Sequence, residues 1–231
     1  MRAYGFIPAK DHSTRVPGKN LRPLGGRPLV FWTIDQALLS GLSYVVVVCD
    51  GPEVTVAVAE QYEGRVRIVQ RPPGMSGEVS ATEVTVWAAR KLHGEEEAVV
   101  QLLPTSPFRT HKHITEALTL WERDTRAAVV SVREVHAKAL RYEAPGTGWL
   151  HRLRAPGADA ERWPDESPPR TLVSTGGIQV ASAATLRILG RFHVPKTRAV
   201  TLDAVAGLDI DTEAEWTTAV ALARYAEEEM P

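Results

Sequence analysis

Pro28-Leu29-Val30-Phe31-Trp32-Thr33-Ile34-Asp35-Gln36-Ala37-Leu38-Leu39-Ser40-Gly41-Leu42-Ser43-Tyr44-Val45-Val46-Val47-Val48-Cys49 decides the fold. Val30, Ile34, Ala37, Leu38 and Leu42 recur at i, i+4, i+7, i+8 and i+12, which is one face of a helix over Pro28–Leu42, with Gly41 near its end. Tyr44–Cys49 is an unbroken, mostly β-branched run, the pattern of a strand covered on both faces. Upstream, Ala3–Pro8 reads as a buried strand ending at a proline, which completes a strand–helix–strand unit. Downstream the alternation continues. Helices are expected over Val54–Tyr62, Ser80–His93, Thr110–Arg123 and Ala184–Leu189, and strands over Val66–Val69, Ala98–Leu103, Ala127–Val132, Gly176–Val180 and Ala199–Leu202. Thr212-x-x-Glu215 is a capping box opening a last helix, with Trp216, Val220 and Ala223 on its buried face. The class is α/β: a mainly parallel sheet flanked by helices, in a single domain spanning 1–231. Ligands of such sheets sit at the carboxyl ends of strands, so candidate residues should follow Pro8, Cys49, Val69, Leu103 and Val180. Residues 140–175, with prolines from Pro145 to Pro169, break the rhythm and read as an excursion or a linker.

The chain of 231 residues carries 27 Lys+Arg against 28 Asp+Glu. That balance argues against a chain-wide nucleic-acid or membrane-surface binder and leaves local anion sites open. The longest apolar run, Tyr44–Cys49, is far short of a membrane span, and the first residues lack the apolar core of a signal peptide. Cys49 is the only cysteine and lies in an apolar strand, so it is expected in the core, no internal disulfide is possible, and a cytoplasmic location is expected.

After the first strand, Lys10, Arg15 and Lys19 fall within ten residues, with Ser13 and Thr14 as hydroxyl donors. Such a set suits a triphosphate, which needs fixed donors and point charges; a solvated basic loop is the competing reading. No Gly-Lys-Ser/Thr opens a helix here and no Gly-x-Gly-x-x-Gly follows the strand, which argues against a P-loop and a dinucleotide fold. Near the end, Leu208-Asp209-Ile210-Asp211-Thr212-Glu213, if extended, points Asp209 and Asp211 the same way, with Cα atoms roughly 6.5–7 Å apart. Two carboxylates that close favour a cation between them, and Mg²⁺ suits the set. Helix capping explains Asp211 equally well but not Asp209.

Three ordered motifs carry a resemblance. Ile7-Pro8-Ala9-Lys10 followed by Ser13-Thr14-Arg15-Val16-Pro17-Gly18-Lys19-Asn20-Leu21, then Gln101-Leu102-Leu103-Pro104-Thr105-Ser106-Pro107-Phe108-Arg109, then Asp209-Ile210-Asp211-Thr212-Glu213, resemble the acylneuraminate cytidylyltransferases, which make CMP-sialic acid, and their bacterial relatives. Ser13-Thr14-Arg15 with Pro17-Gly18-Lys19 also resembles the ketodeoxyoctonate cytidylyltransferases. The resemblance implies a Rossmann-like nucleotidyltransferase that attaches CMP from CTP to a small acidic acceptor and releases pyrophosphate. It implies that Lys10, Ser13, Thr14, Arg15 and Lys19 hold the triphosphate and that Asn20 orients ribose or α-phosphate. Arg71, Ser80 and Thr82 would line the cytosine pocket, and Asp209 and Asp211 would hold Mg²⁺, with Lys19 and Arg15 among the catalytic set. It also implies a homodimer, with 140–175 serving dimerisation or covering the acceptor.

The chain departs from that family. Lys10 stands where arginine is usual, which loses a bidentate fork, and Asp11 and His12 replace small residues. Asp11 reads as a turn former or, as the lesser reading, an extra metal ligand; His12 reads as an exposed loop residue. Leu103 replaces a glutamine, and Val173-Ser174-Thr175-Gly176-Gly177-Ile178-Gln179 replaces Arg-Pro-Asn-Gly-Ala-Ile-Tyr. Leu103, Thr175, Gly176 and Gln179 are therefore candidates facing a changed acceptor, either a sialic-acid-like ulosonic acid or a small phosphonate or phosphate, joined by Arg109, which reads equally as a structural residue, Lys138, which reads equally as a surface lysine, and Arg170 from the excursion. Trp87, Trp121 and Trp216 are expected in the core. A non-catalytic nucleotide-binding protein on the same fold is the alternative.

Overall fold

In the computed structural model, which describes residues 2–75, 79–90, 97–135, 141–143, 150–152 and 171–229, strand β1 (Ala3–Ala9) is buried along its whole length. A two-residue ladder, β2 (Pro23–Leu24) and β3 (Arg27–Pro28), follows. Its turn, Gly25-Gly26, has φ of 57° and 81°, a left-handed pair that a tight hairpin requires and that glycine adopts at least cost. Then come α1 (Leu29–Leu39), β4 (Tyr44–Cys49), α2 (Pro52–Gln61), β5 (Arg67–Gln70), α3 (Ala81–Ala89), β6 (Ala98–Leu102), α4 (His111–Glu122) and β7 (Ala128–Glu134). Beyond these lie β8 (Arg141–Glu143), β9 (Leu150–Arg152), β10 (Leu172–Ser182), α5 (Ala183–Leu189), β11 (Thr197–Leu202) and α6 (Glu213–Glu229).

Among the described residues the main sheet has the order β11-β7-β10-β6-β1-β4-β5. β4 and β6 flank β1 in parallel, β5 extends β4 in parallel, and β11 runs parallel to β7. β10 is antiparallel to β6, with Ile178 opposite Leu102 and Ser182 opposite Ala98. This corrects one expectation. Because β10 runs the other way, its first half, not the residues after Val180, lies beside the carboxyl end of β6. β10 also begins at Leu172, inside the stretch read as excursion. The chain divides into two compact units, Met1–Arg133 with Ser174–Pro231, and Glu134–Val173. In the second, β8 and β9 form an antiparallel pair.

Two apolar layers sandwich the sheet. One gathers Ile7, Val47, Val100 and Val180 with Val30, Ile34, Ala37, Ala117 and Trp121 of α1 and α4. The other gathers Phe6, Val48 and Val99 with Val84 and Ala88 of α3 and Leu186 of α5. Cys49 is free and buried in the first layer, and burial pushes its thiol up to about 11. Trp121 and Trp216 are core residues as expected, and Trp87 is half-buried against the second layer. On α6 the buried face is Trp216, Ala219 and Ala223, while Val220 is exposed: at three and four residues from Trp216, 219 and 220 straddle the edge of the stripe. No helix among the described residues is long and apolar enough to cross a membrane.

A third apolar cluster positions the site. Val16 from the first loop, Leu24, Leu29, Trp32, Phe108 from the loop after β6, and Ile210 and Trp216 from the tail pack together. Each chain segment drives apolar side chains into this cluster, so the polar residues beside it converge.

Candidate active site

Lys10, Ser13, Arg15, Lys19 and Asn20 from the first loop line a cleft of about 350 Å³ with Arg71 and Ser80. Leu103, Pro104 and Thr105 form another wall, and Asp209 and Asp211 a third. The tail is extended enough for Ile210 to enter the core while both flanking carboxylates face the cleft, as the alternation predicts. Ile210 N–H donates to the Thr105 carbonyl at 2.8 Å, which fixes the tail on the β6 loop.

Lys19 is only 7% exposed. Its Nζ donates to the Ile210 carbonyl at 2.6 Å and to Asp211 Oδ1 at 3.5 Å. Burial lowers its pKa, opposed chiefly by Asp211. Arg15 pairs with the other Asp211 oxygen at 3.0 Å. Asp209 has its pKa raised, first by burial and then by Asp211, while a Thr105 hydrogen bond and Lys19 act the other way. Its Oδ1 is buried with no hydrogen-bond partner. Among the described residues no group of three or more His, Cys, Asp or Glu side chains gathers, so any metal here would rest on this pair and on ligand oxygens. The Thr212–Glu215 capping box forms, with Glu215 accepting from the Asp211 and Thr212 N–H groups at 2.8 Å.

Other candidates fall elsewhere. Thr14 is exposed and Thr82 is half-buried on α3; neither lines the cleft. Ser80 lines it, but its hydroxyl is engaged in a capping box with Glu83 that opens α3. Asn20 donates to the Lys10 carbonyl at 2.8 Å, so it holds the loop's shape. Asp11 is neither a turn former nor positioned as a metal ligand. It is 5% exposed, and its carboxylate accepts from the Glu53 and Val54 N–H groups at 2.8 and 3.0 Å, closing the N-terminus of α2 from a distant loop. His12 is exposed, as expected.

Among the acceptor candidates, Leu103 lines the cleft, and Gly176, with φ of 68°, lies against it: a Cβ there would stand 3.3 Å from Leu103 Cδ1. Arg109 is turned inward, 0% exposed, because the loop after β6 wraps around it: it donates to the Leu103 and Ser106 carbonyls. Burial pushes it down to about 9, against the pull of Asp209. Thr175 is buried in a hydroxyl pair with Ser131 at 2.7 Å, and Gln179 is buried opposite Gln101 on β6. These two stand in the sheet because β10 is paired along this stretch. Lys138 and Arg170 lie outside the described residues. Thr105, which lines the cleft, the Ile210 carbonyl, which accepts from Lys19, and Asp50, which faces Arg71 at 3.8 Å, are groups that the sequence did not single out. Thr105 sits within the Pro104-Thr105-Ser106-Pro107-Phe108-Arg109 motif; Asp50 has no sequence signal beyond following a strand.

Four cations, Lys10, Arg15, Lys19 and Arg71, and two carboxylates line one cleft after the carboxyl ends of β1, β5 and β6, a set suited to a nucleoside triphosphate and its metal. The comparisons agree. A family described as Cytidylyltransferase matches residues 4–144. The chain is 29% identical over 234 residues to the CMP-N,N'-diacetyllegionaminic acid synthase of Legionella pneumophila, covering 94% of each. It is 32% identical over 128 residues to the N-acylneuraminate cytidylyltransferase of Escherichia coli, covering 55% of this chain and 30% of that protein. The structure of CMP:2-keto-3-deoxy-manno-octonic acid synthetase complexed with CTP superposes with a TM-score of 0.72 at 20% identity, covering 99% of this chain and all of that one. The chain belongs to the cytidylyltransferase family, and is thus a CTP-dependent nucleotidyltransferase.

Proposed function

We propose that this enzyme transfers CMP from CTP to an oxygen of a small acidic acceptor, releasing pyrophosphate, with Mg²⁺ as the metal. The observation that carries this reading is the meeting of Asp209 and Asp211 with Lys19 and Arg15 in one cleft. The acceptor oxygen attacks the α-phosphorus, a hydroxyl acceptor giving up its proton to solvent and an ionised phosphonate oxygen carrying none; the bond from the α-phosphorus to the bridging oxygen breaks, and its electron pair leaves with pyrophosphate. Lys10, Arg15 and Lys19 supply fixed positive charge where negative charge accumulates on the leaving group and the α-phosphate. Asp209 and Asp211 would hold the metal, and the unpartnered buried Asp209 oxygen fits a cation. When bound, Mg²⁺ would neutralise charge shared between phosphate and acceptor. Arg71 would meet the base.

A sugar acid of the ulosonic kind is favoured as acceptor by the end-to-end match to a legionaminic acid synthase. A small phosphonate is favoured by the apolar Leu103 standing against Gly176, which has no side chain, where hydroxyl-binding groups would be useful. A panel of ulosonic acids, phosphonates and phosphate esters, offered with CTP or UTP and read by mass spectrometry, separates the two. Lys19→Ala should lower pyrophosphate release by on the order of 10²-fold or more. No conjugate with any acid would sink the proposal. A homodimer, with residues 140–175 serving dimerisation or covering the acceptor, belongs to the same reading; light scattering of the wild type and of a chain lacking 144–168 tests it. A cytoplasmic location completes it and is tested by fractionation.

A further inference from the structure

Asp11 and Asp50 form a connected pair behind the cleft that the transfer reaction does not use directly. The Asp11 N–H donates to Asp50 Oδ1 at 2.8 Å, while the Asp11 carboxylate takes the Glu53 and Val54 N–H groups of α2. The other Asp50 oxygen faces Arg71 Nη1 at 3.8 Å, and the side chains of Arg71 and Asp50 are both largely buried. Burial weighs against the Arg71 charge, and Asp50 is the main opposing influence. Arg71 N–H donates to the Cys49 carbonyl at 2.8 Å, so its backbone is fixed on the strand end that carries Asp50. Lys10, next to Asp11, has its carbonyl held by Asn20. Gly51 makes room for the arrangement: a Cβ there would clash with Asp11 Oδ2.

The helix N-terminus, the triphosphate loop and the Arg71 wall are thus joined through two carboxylates. We propose that Asp50 and Asp11 are positioning residues for the nucleotide: Asp50 sets the Arg71 guanidinium, and Asp11 sets Asp50 and the first loop together. This rests on the reading that Arg71 meets the base and the first loop meets the phosphates. The chemical logic is that a carboxylate facing a buried guanidinium favours one orientation of its planar fork and offsets the cost of burying its charge. Loop and wall then share one register, so base and phosphates are bound as a unit.

Calorimetry with CTP and with inorganic tripolyphosphate tests this, on variants whose melting temperatures and circular dichroism show them folded. Asp50→Asn keeps an acceptor for the Asp11 N–H and removes the charge facing Arg71. It should weaken CTP about tenfold while leaving tripolyphosphate within about twofold. Asp11→Asn should weaken both, because its amide cannot accept both N–H groups of α2, and Asp11→Glu should restore part of the loss. The double variant Asp50→Asn with Arg71→Ala should bind CTP no more weakly than Arg71→Ala alone. If Arg71→Ala weakens CTP but Asp50→Asn does not, or if Asp50→Asn weakens both ligands equally, the positioning role is overturned and the Arg71 reading stands. If Arg71→Ala leaves CTP affinity unchanged, the base reading falls and the positioning role with it.

Discussion

Asp209 sits where ionisation is costly. Burial and the neighbouring Asp211 raise its pKa above the ordinary 3.8, and one of its oxygens has no partner. A carboxylate raised in the folded state costs stability once the pH exceeds the folded value, and costs nothing below the unfolded value, where both states are protonated. Asp209→Asn should therefore raise the melting temperature of the ligand-free protein near pH 7.5, with the gain shrinking as the pH approaches 4. The same change should reduce pyrophosphate release by on the order of 10²–10³-fold. An unchanged or lower melting temperature near pH 7.5 would show that the folded protein does not disfavour this charge. Such a residue gives up stability for chemistry.

At the scale of elements, helix N-termini decide how the loops are held. α2 begins at Gly51 with no cap of its own, and the Asp11 carboxylate reaches it from the first loop. α4 is closed by His113, whose Nδ1 accepts from the Thr110 N–H at 3.1 Å. That acceptor exists only while the imidazole is neutral. Burial lowers the His113 pKa from the ordinary 6.5, with Asp203 and Glu116 opposing and Arg109 and His111 adding to the shift. Because the unfolded chain takes the proton first, stability is retained above 6.5 and declines as the pH falls through it. His113→Gln keeps an acceptor at this position and does not titrate. Melting curves from pH 7.5 to pH 5 should show a flatter decline for this variant; parallel curves would remove His113 from the account.

At the scale of the whole molecule, charges from opposite ends of the chain are paired with one another across the cleft. Both Asp211 oxygens are taken, one by Arg15 and one by Lys19. A triphosphate competes for those same cations, which leaves Asp211 free for a metal. Mg²⁺ alone should therefore shift the melting temperature little. CTP should shift it, and CTP with Mg²⁺ should shift it most, by about 2.7 kcal/mol of stability at a hundredfold excess over Kd. Equal shifts from Mg²⁺ with and without CTP would contradict this exchange of partners. Chelation with EDTA should return the combined shift to that of CTP alone.

Much of the fold was legible because its signals are local. The β-branched run Tyr44–Cys49 became a buried strand with those same bounds, and the face of Val30, Ile34 and Ala37 became the core side of α1. The Thr212–Glu215 box opened α6 for the same reason: its hydrogen bonds span three residues. The first loop and the carboxylate pair could be chosen as site candidates because their charges are dense in sequence. What the chain alone did not reveal depends on contacts between distant segments. The direction of β10 is set by its pairing with β6, which places Gln179 opposite Gln101, while Thr175 is buried in its hydroxyl pair with Ser131 of β7. Arg109 is polar by type, yet the β6 loop closes over it. Asp11 caps a helix more than forty residues away. Local sequence determined the elements and the chemistry available; tertiary packing through Val16, Phe108 and Ile210 decided which charges meet, because only the folded core brings those segments together.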